Sequence, residues 1–487
     1  MTTHHRVAIV GSGFSGLGMA VKLKQAGIDD FVILERAGDL GGTWRDNTYP
    51  GCQCDVESNL YSFSFAPNPA WTRTYSRQLE IWDYLRLCAA KFGLGPHFRF
   101  RHEVRAASWN EDAARWQIDT SAGALSADIL VAAVGPLSEP SLPEIPGLDR
   151  FQGPCFHSAA WSHGLDLGGK RVAVIGTGAS AIQLVPQIQP LVASLDLYQR
   201  TPPWVLPHRD RPVSRFAQNL YRTIPGLQRL VRTAVYWSRE LFVVSFMKVQ
   251  ANPPAEQLAR RHLVKQVADP ELRARLTPTY AIGCKRILIS NEYYPAIQEP
   301  NVELITEGIQ KLRAGSIVTA DGREREVDVI ILATGFRVTE MPFSLWVTGR
   351  DGKQLAGCWG GSPSAYRGTT VSGFPNLFLL LGPNTGLGHT SVLLMLEAQL
   401  RYVMGCLAHL ERSGMASIEV LPEAQEAFNA KVQSGLRETV WNSGGCRSWY
   451  LDRTGRNTTI WPGSTWPYVR LLRRFDPAVY RLSGRPA

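Results

Sequence analysis

The sequence predicts an α/β fold of two Rossmann-like dinucleotide-binding domains, one inserted in the other, with a further helical insertion. Three observations predict it. An apolar strand, a glycine-rich turn and a helix-like pattern follow one another twice. Each copy ends in a charged residue 24 positions after its first glycine. A second pair of matched segments, each closing on a glycine, accompanies the first pair.

In the first copy, residues 7–10 (Val-Ala-Ile-Val) run into Gly11-Ser12-Gly13-Phe14-Ser15-Gly16. In the second, residues 172–175 (Val-Ala-Val-Ile) run into Gly176-Thr177-Gly178-Ala179-Ser180-Ala181. Glycines there permit a tight turn and let the backbone approach a pyrophosphate at a helix N-terminus. The strand Phe31-Val32-Ile33-Leu34 ends at Glu35, an acid suited to ribose hydroxyls. The stretch Leu195 to Gln199 ends at Arg200, a base suited to an extra 2′-phosphate. Two different nucleotides are expected, the second NADP rather than NAD.

Asp128 to Gly135 (Asp-Ile-Leu-Val-Ala-Ala-Val-Gly) resembles Asp328 to Gly335 (Asp-Val-Ile-Ile-Leu-Ala-Thr-Gly). Both read as buried strands that return the chain to the sheet beside each nucleotide. Between the fingerprints, Pro136 to Gly147 holds four prolines and reads as a linker. The expected division is an FAD unit at 1–145 and 326–487, and an NADP unit at 146–205 and 281–325. The helical insertion is expected at 206–280. Phe216 to Gln250 carries Leu227, Leu230, Val231, Val235 and Leu241 at helical spacing among arginines. Its run Leu241 to Met247 is too short to span a bilayer and is expected in the core, with a channel cap or a membrane-surface contact as alternatives. Leu377 to Leu381 reads as a strand, Gly382-Pro383-Asn384-Thr385 as the turn after it, and Ser391 to His409 as a helix.

The net charge of +10 admits nucleic acid or acidic lipid as partners. The basic residues are dispersed, with no stripe interleaved with aromatics, so nucleic acid is not expected. The eight cysteines form no Cys-x-x-Cys pair, so no metal site is expected. Cys52 and Cys54 read as ordinary buried thiols of a reducing compartment. With no leader-like segment and no span-length apolar run, a cytoplasmic protein without an integral membrane segment is expected. Oligomeric state is not legible.

FAD with NADPH implies hydride transfer, and the absence of a redox cysteine pair leaves dioxygen as the acceptor. Phe151-Gln152-Gly153-Pro154-Cys155-Phe156-His157-Ser158-Ala159-Ala160-Trp161 precedes the second nucleotide strand. It resembles the fingerprint Phe-x-Gly-x-x-x-His-x-x-x-Trp of type I Baeyer–Villiger monooxygenases, a branch of the class B flavoprotein monooxygenases. Trp161 favours this branch over the N- and S-oxidising flavin monooxygenases, which remain the alternative on the same scaffold. Ser162 departs from the usual Pro or Asp. Further family-like positions are Gly41-Gly42-Thr43-Trp44, Tyr49-Pro50-Gly51, Cys54-Asp55, Lys285-Arg286, Ala333-Thr334-Gly335-Phe336 and Ser448-Trp449-Tyr450. Arg45-Asp46-Asn47-Thr48 is less aromatic than in the best-known members.

The resemblance implies NADPH-driven reduction of FAD, a peroxyflavin, and oxidation of a small-molecule ketone to an ester or lactone. It implies Arg286 as the central catalytic residue, stabilising oxygen charge, with Asp55 placing it. It implies Lys285, Arg200 and Thr201 on the 2′-phosphate, Trp449 over the nicotinamide ribose, and His157 in the link between domains. Gly42, Thr43, Trp44, Ala333, Thr334, Gly335 and Asn384 join the two glycine turns, including Ser180, as cofactor contacts. A flavin reductase or oxidase, or a non-catalytic flavoprotein, would lack the ketone reaction.

Overall fold

A computed structural model describes residues 3–247 and 253–485. The first sheet is built on five parallel strands. Thr3–Val10 lies between Phe31–Glu35 and Gly123–Ala132. Phe98–Phe100 extends it on one side and Leu377–Leu379 on the other. Gly123–Ala132 is long enough to serve two ladders. Its first half also pairs antiparallel with Arg115–Thr120, which pairs with Val104–Asn110. Apolar residues fill both faces of the central strands, as a sheet covered on both sides requires.

The second sheet is wholly parallel, in the order Val302–Ile305, Ser194–Tyr198, Arg171–Ile175, Val329–Leu332, Cys155–His157. It lies between two stretches of the first unit, so the insertion of one nucleotide unit in the other is observed. One boundary differs from the sequence expectation. Val329–Leu332 pairs with Arg171–Ile175, so the second unit runs past 325 to at least Leu332. The cause is the repeat itself: Asp328 to Gly335 supplies to this sheet the strand that Asp128 to Gly135 supplies to the first.

Both expected glycine turns form, and they share one geometry. Gly11 and Gly176 have positive φ (103° and 111°). A Cβ would lie 2.6 Å from the Ala133 carbonyl oxygen at Gly11 and 2.5 Å from that of Ala333 at Gly176. The returning strand thus presses on the turn in each unit, and only glycine fits. The helices Phe14–Gln25 and Ala179–Ile188 start directly after Gly13 and Gly178. Val392–Ser413 starts on Ser391, whose hydroxyl accepts from the Leu393 N–H, as the sequence indicated.

The 206–280 insertion is helical: Arg215–Thr223, Leu227–Glu240, Val244–Met247, Pro253–Gln266 and Pro270–Arg275. Val205–Leu206 pairs with Leu288–Ile289 and closes its base. The run Leu241 to Met247 is only partly core. Val243 and Phe246 are buried, but Leu241 and Phe242 are exposed. Residues 248–250, the end of the expected helical stretch, lie outside the described residues. No described helix is long and apolar enough to cross a membrane.

Candidate active site at the junction of the two units

Three chain segments converge where the units meet. The first is the loop after the Thr43–Asp46 helix of the first unit. Its Gly51 needs positive φ, and a Cβ there would lie 2.5 Å from the Gln183 carbonyl oxygen on the second unit's helix. The Gln183 side chain completes the contact. It accepts from the Tyr49 hydroxyl (2.9 Å) and donates to the Gln53 carbonyl (3.1 Å). The second segment is Gly283 to Ile287. The third is Gly444 to Tyr450, tied to the second by a Cys284–Cys446 disulfide.

Asp55 and Arg286 meet at this junction. Arg286 Nε and Nη2 each donate to one Asp55 oxygen at 2.6 Å. A bidentate fork fixes the guanidinium plane and leaves Nη1 as the donor not engaged by Asp55. The Asp55 carboxylate raises the Arg286 pKa further, the largest influence on it, so the charge is permanent. Tyr450 faces the pair. Burial pushes its phenol up to about 12, with Arg286 acting in the opposite direction. Burial also raises the Cys54 thiol and the Tyr61 phenol beside the pair. All three groups are therefore neutral at ordinary pH, and the Asp55–Arg286 pair holds the local charge. The Tyr61 hydroxyl accepts from Trp44 Nε1 at 3.0 Å.

Lys285 and Arg200 come together on the side of the second glycine turn. Lys285 has its pKa lowered, first by burial and then by the Arg200 charge. Two cations within electrostatic reach of one another suit a doubly charged anion. The Thr201 carbonyl accepts weakly from the Thr177 hydroxyl (3.4 Å), which sets it against the turn. Ser180, in the first turn of that helix, lies near the Tyr49 phenol, whose pKa burial pushes up. Trp449 is exposed and packs edge-on against Tyr450 at 4.4 Å.

In the first unit, Gly13 and Gly42 approach closely; a Cβ on Gly13 would stand 3.7 Å from the Gly42 Cα. Glu35 is buried at its strand end. It accepts from the Ser12 N–H (3.0 Å) and hydroxyl (2.6 Å) and pairs with Arg45 at 3.0 Å. Asn384 is buried with φ +55°, and its Nδ2 donates to the Asn457 (2.8 Å) and Ile460 (3.0 Å) carbonyls. Its buried Oδ1 has no partner among the described residues, an acceptor suited to a flavin N–H or hydroxyl.

The fingerprint forms the edge strand of the second sheet and the turn after it. Gly153 admits no side chain, since a Cβ would lie 2.4 Å from the Asp328 carbonyl oxygen. Phe151 packs on the satellite core of that sheet, and Trp161 meets Phe156 edge-on at 5.3 Å. His157 is buried against Phe336 (5.6 Å), where the chain leaves the second sheet, and burial lowers its pKa. There Thr334 Oγ1 donates to the Ser141 carbonyl at 2.6 Å, joining the segment Ala333 to Gly335 to the proline-rich linker.

Residues 4–345 match the family model for flavin-binding monooxygenase-like proteins. A Baeyer–Villiger monooxygenase of Streptomyces coelicolor is 52% identical over 99% of this chain and 93% of its own length. The chain belongs to the Baeyer–Villiger monooxygenase family. A second family member, from Pseudomonas aeruginosa, is 50% identical over 99% of the chain and 92% of its own length. Among solved family structures, the closed form of cyclohexanone monooxygenase superposes with a TM-score of 0.89. It is 28% identical, with 99% of this chain and 100% of that one covered. Steroid monooxygenase bound to NADP gives a TM-score of 0.87 at 32% identity, with the same coverage.

Several residues of the site escaped the sequence reading. Gln183 and Arg45 carry no motif, and only the observed contacts reveal them. The disulfide was equally invisible. Cys52 and Cys54 are buried and unpaired, as ordinary thiols are, while Cys284 and Cys446, for which the sequence offered no pairing, are bridged.

Proposed function

We propose that this chain oxidises a ketone to an ester or lactone with NADPH and dioxygen, holding FAD on the first nucleotide unit and NADPH on the second. The observation that carries the reading is the Asp55–Arg286 fork at the junction of the units, with Nη1 left for the reacting oxygens. Held there, FAD would supply hydride acceptance from NADPH and the activation of dioxygen for insertion beside the carbonyl.

The chain's own residues supply the rest. Arg286 places a fixed positive charge where negative charge develops on oxygen. It cannot lose its proton, so it stabilises without quenching. Asp55 positions Arg286 through both oxygens. The Gly11, Gly13 and Gly16 turn, with Glu35, Gly42, Thr43, Trp44 and Asn384, receives FAD. The Gly176 and Gly178 turn, with Ser180, Arg200, Thr201 and Lys285, receives NADPH, and Ala333, Thr334 and Gly335 line the strand end between them. Trp449 is exposed beside Tyr450 and would take the nicotinamide ribose. Phe151, Gly153, His157 and Trp161 lie in the link between the two units, with His157 packed on Phe336. The division of the chain that follows is 1–145 with the stretch after Leu332, and 146–205 with 281–332.

Arg286→Ala tests the reading. Ester formation falls at least ~100-fold, the scale of losing one donor to a developing oxyanion, while NADPH still bleaches the flavin at the parental rate. Ketone turnover at the parental rate in this variant would remove Arg286 from the chemistry.

A further inference from the structure

The helix Leu227–Glu240 sits inside out. Its polar side is the buried one. Gln228 donates to the Asn59 side chain and the Asn68 carbonyl, and Arg232 to the carbonyls of Asn59, Leu60 and Ser62. Arg239 pairs with Glu57, and Glu240 accepts from the Thr465 N–H. Its apolar side faces outward. Leu230, Ala234, Trp237 and Leu241 follow the four-three-four spacing of one helical stripe, and Leu230, Trp237 and Leu241 are 66%, 51% and 74% exposed. Phe216 (73% exposed) on the preceding helix, with Ile224 and Phe242, adds to this surface. An apolar stripe normally turns to the core, so one turned outward marks a contact surface.

Its charge is one-sided. Between Asp210 and Glu240 the chain has six arginines and no acidic residue. Arg232 and Arg239 are spent on inward contacts. Arg215, Arg222 and Arg229 are exposed and make no ion pair among the described residues. We propose that this face of the helical insertion docks on an anionic lipid surface, with Leu230, Trp237 and Leu241 in the headgroup boundary and Arg215, Arg222 and Arg229 on lipid phosphates. A second copy of the chain fits less well, because a two-fold contact would set this arginine-rich face against itself. The docked face is the far side of an element that also reaches the site. Phe246, a few residues on, lies against Gly283 of the second site segment, where an added Cβ would stand 2.6 Å from its ring.

The test is flotation of the FAD-loaded full chain with two kinds of vesicle, phosphatidylglycerol with phosphatidylcholine (1:1) and phosphatidylcholine alone. The protein floats with the anionic vesicles, and the bound fraction falls as salt rises. The triple variant Leu230→Glu, Trp237→Glu, Leu241→Glu loses binding at least tenfold, while its FAD content and NADPH-driven flavin reduction match the parent. Should that variant fail to load FAD, the pair Arg222→Gln, Arg229→Gln keeps the apolar stripe and must still weaken anionic binding. A parent that stays with the aqueous fraction overturns the proposal, as does equal binding to both vesicles. So does a parent that sediments as a dimer, is split by the triple variant and binds no vesicle.

Discussion

Arg286 and Lys285 are chain neighbours with opposite electrostatic surroundings. Arg286 has Asp55 on two of its N–H edges, while Lys285 faces Arg200. Asp55→Asn halves that fork. Steady-state assays are expected to show ester formation reduced by ~10-fold or more, the worth of a charge-assisted hydrogen bond, with KM for NADPH little changed. For Lys285 the sign follows from charge. Burial and Arg200 lower its pKa in the free protein, and a bound 2′-phosphate favours the protonated form. KM for NADPH therefore rises as pH climbs through the lowered Lys285 pKa, and in Arg200→Ala that rise moves to higher pH. A KM profile that is flat between neutral and alkaline pH would contradict the pairing. The charges of Glu35 and Arg200 were legible because each follows its glycine turn at a fixed distance. Arg45 was not, since its place beside Glu35 depends on how the Thr43–Asp46 helix folds back.

At the scale of elements, the two strand–turn–helix units repeat down to the atom that forbids a side chain. Gly176→Ala would drive a Cβ into the Ala333 carbonyl at a φ of 111°. The expected result is a protein that retains FAD but reduces it with NADPH at least ~10-fold less efficiently, a loss of ~1.4 kcal/mol or more. Flavin absorbance and the rate of anaerobic bleaching measure the two halves separately. These elements were legible because strand, turn and helix signals are local. Val329–Leu332 was legible as a strand of the second sheet by its likeness to Asp128 to Gly135, and only the boundary drawn at 326 left it in the wrong unit. The helix Leu227–Glu240 shows the opposite limit. Its apolar spacing was readable, but its orientation was not, because Gln228 and Arg232 find carbonyl partners on a loop more than 150 positions earlier.

Across the whole molecule, the site exists only because the two units meet. Asp55 comes from one, Arg286 from the other, and Gln183 with Gly51 holds the seam. The Cys284–Cys446 disulfide, spanning 162 positions, ties the Tyr450 segment to that seam. Closing so long a loop constrains the unfolded chain, by ~2–4 kcal/mol in typical cases. Cys446→Ser, or parent protein in reductant, is expected to melt several degrees lower in scanning calorimetry; identical melting with and without reductant would contradict the bridge. Spacing of 162 residues carries no local signal, so no reading of the sequence could have paired these cysteines.

The central claim is that electrons from NADPH and one atom of dioxygen meet a ketone at the Asp55–Arg286 junction. The most direct measurement supplies ¹⁸O₂ and NADPH to the FAD-loaded protein with a panel of ketones and follows label and cofactor together. The account predicts an ester or lactone carrying one ¹⁸O atom, one NADPH oxidised per product, and loss of that product but not of flavin reduction in Arg286→Ala. NADPH oxidation that yields only hydrogen peroxide with every ketone would contradict it.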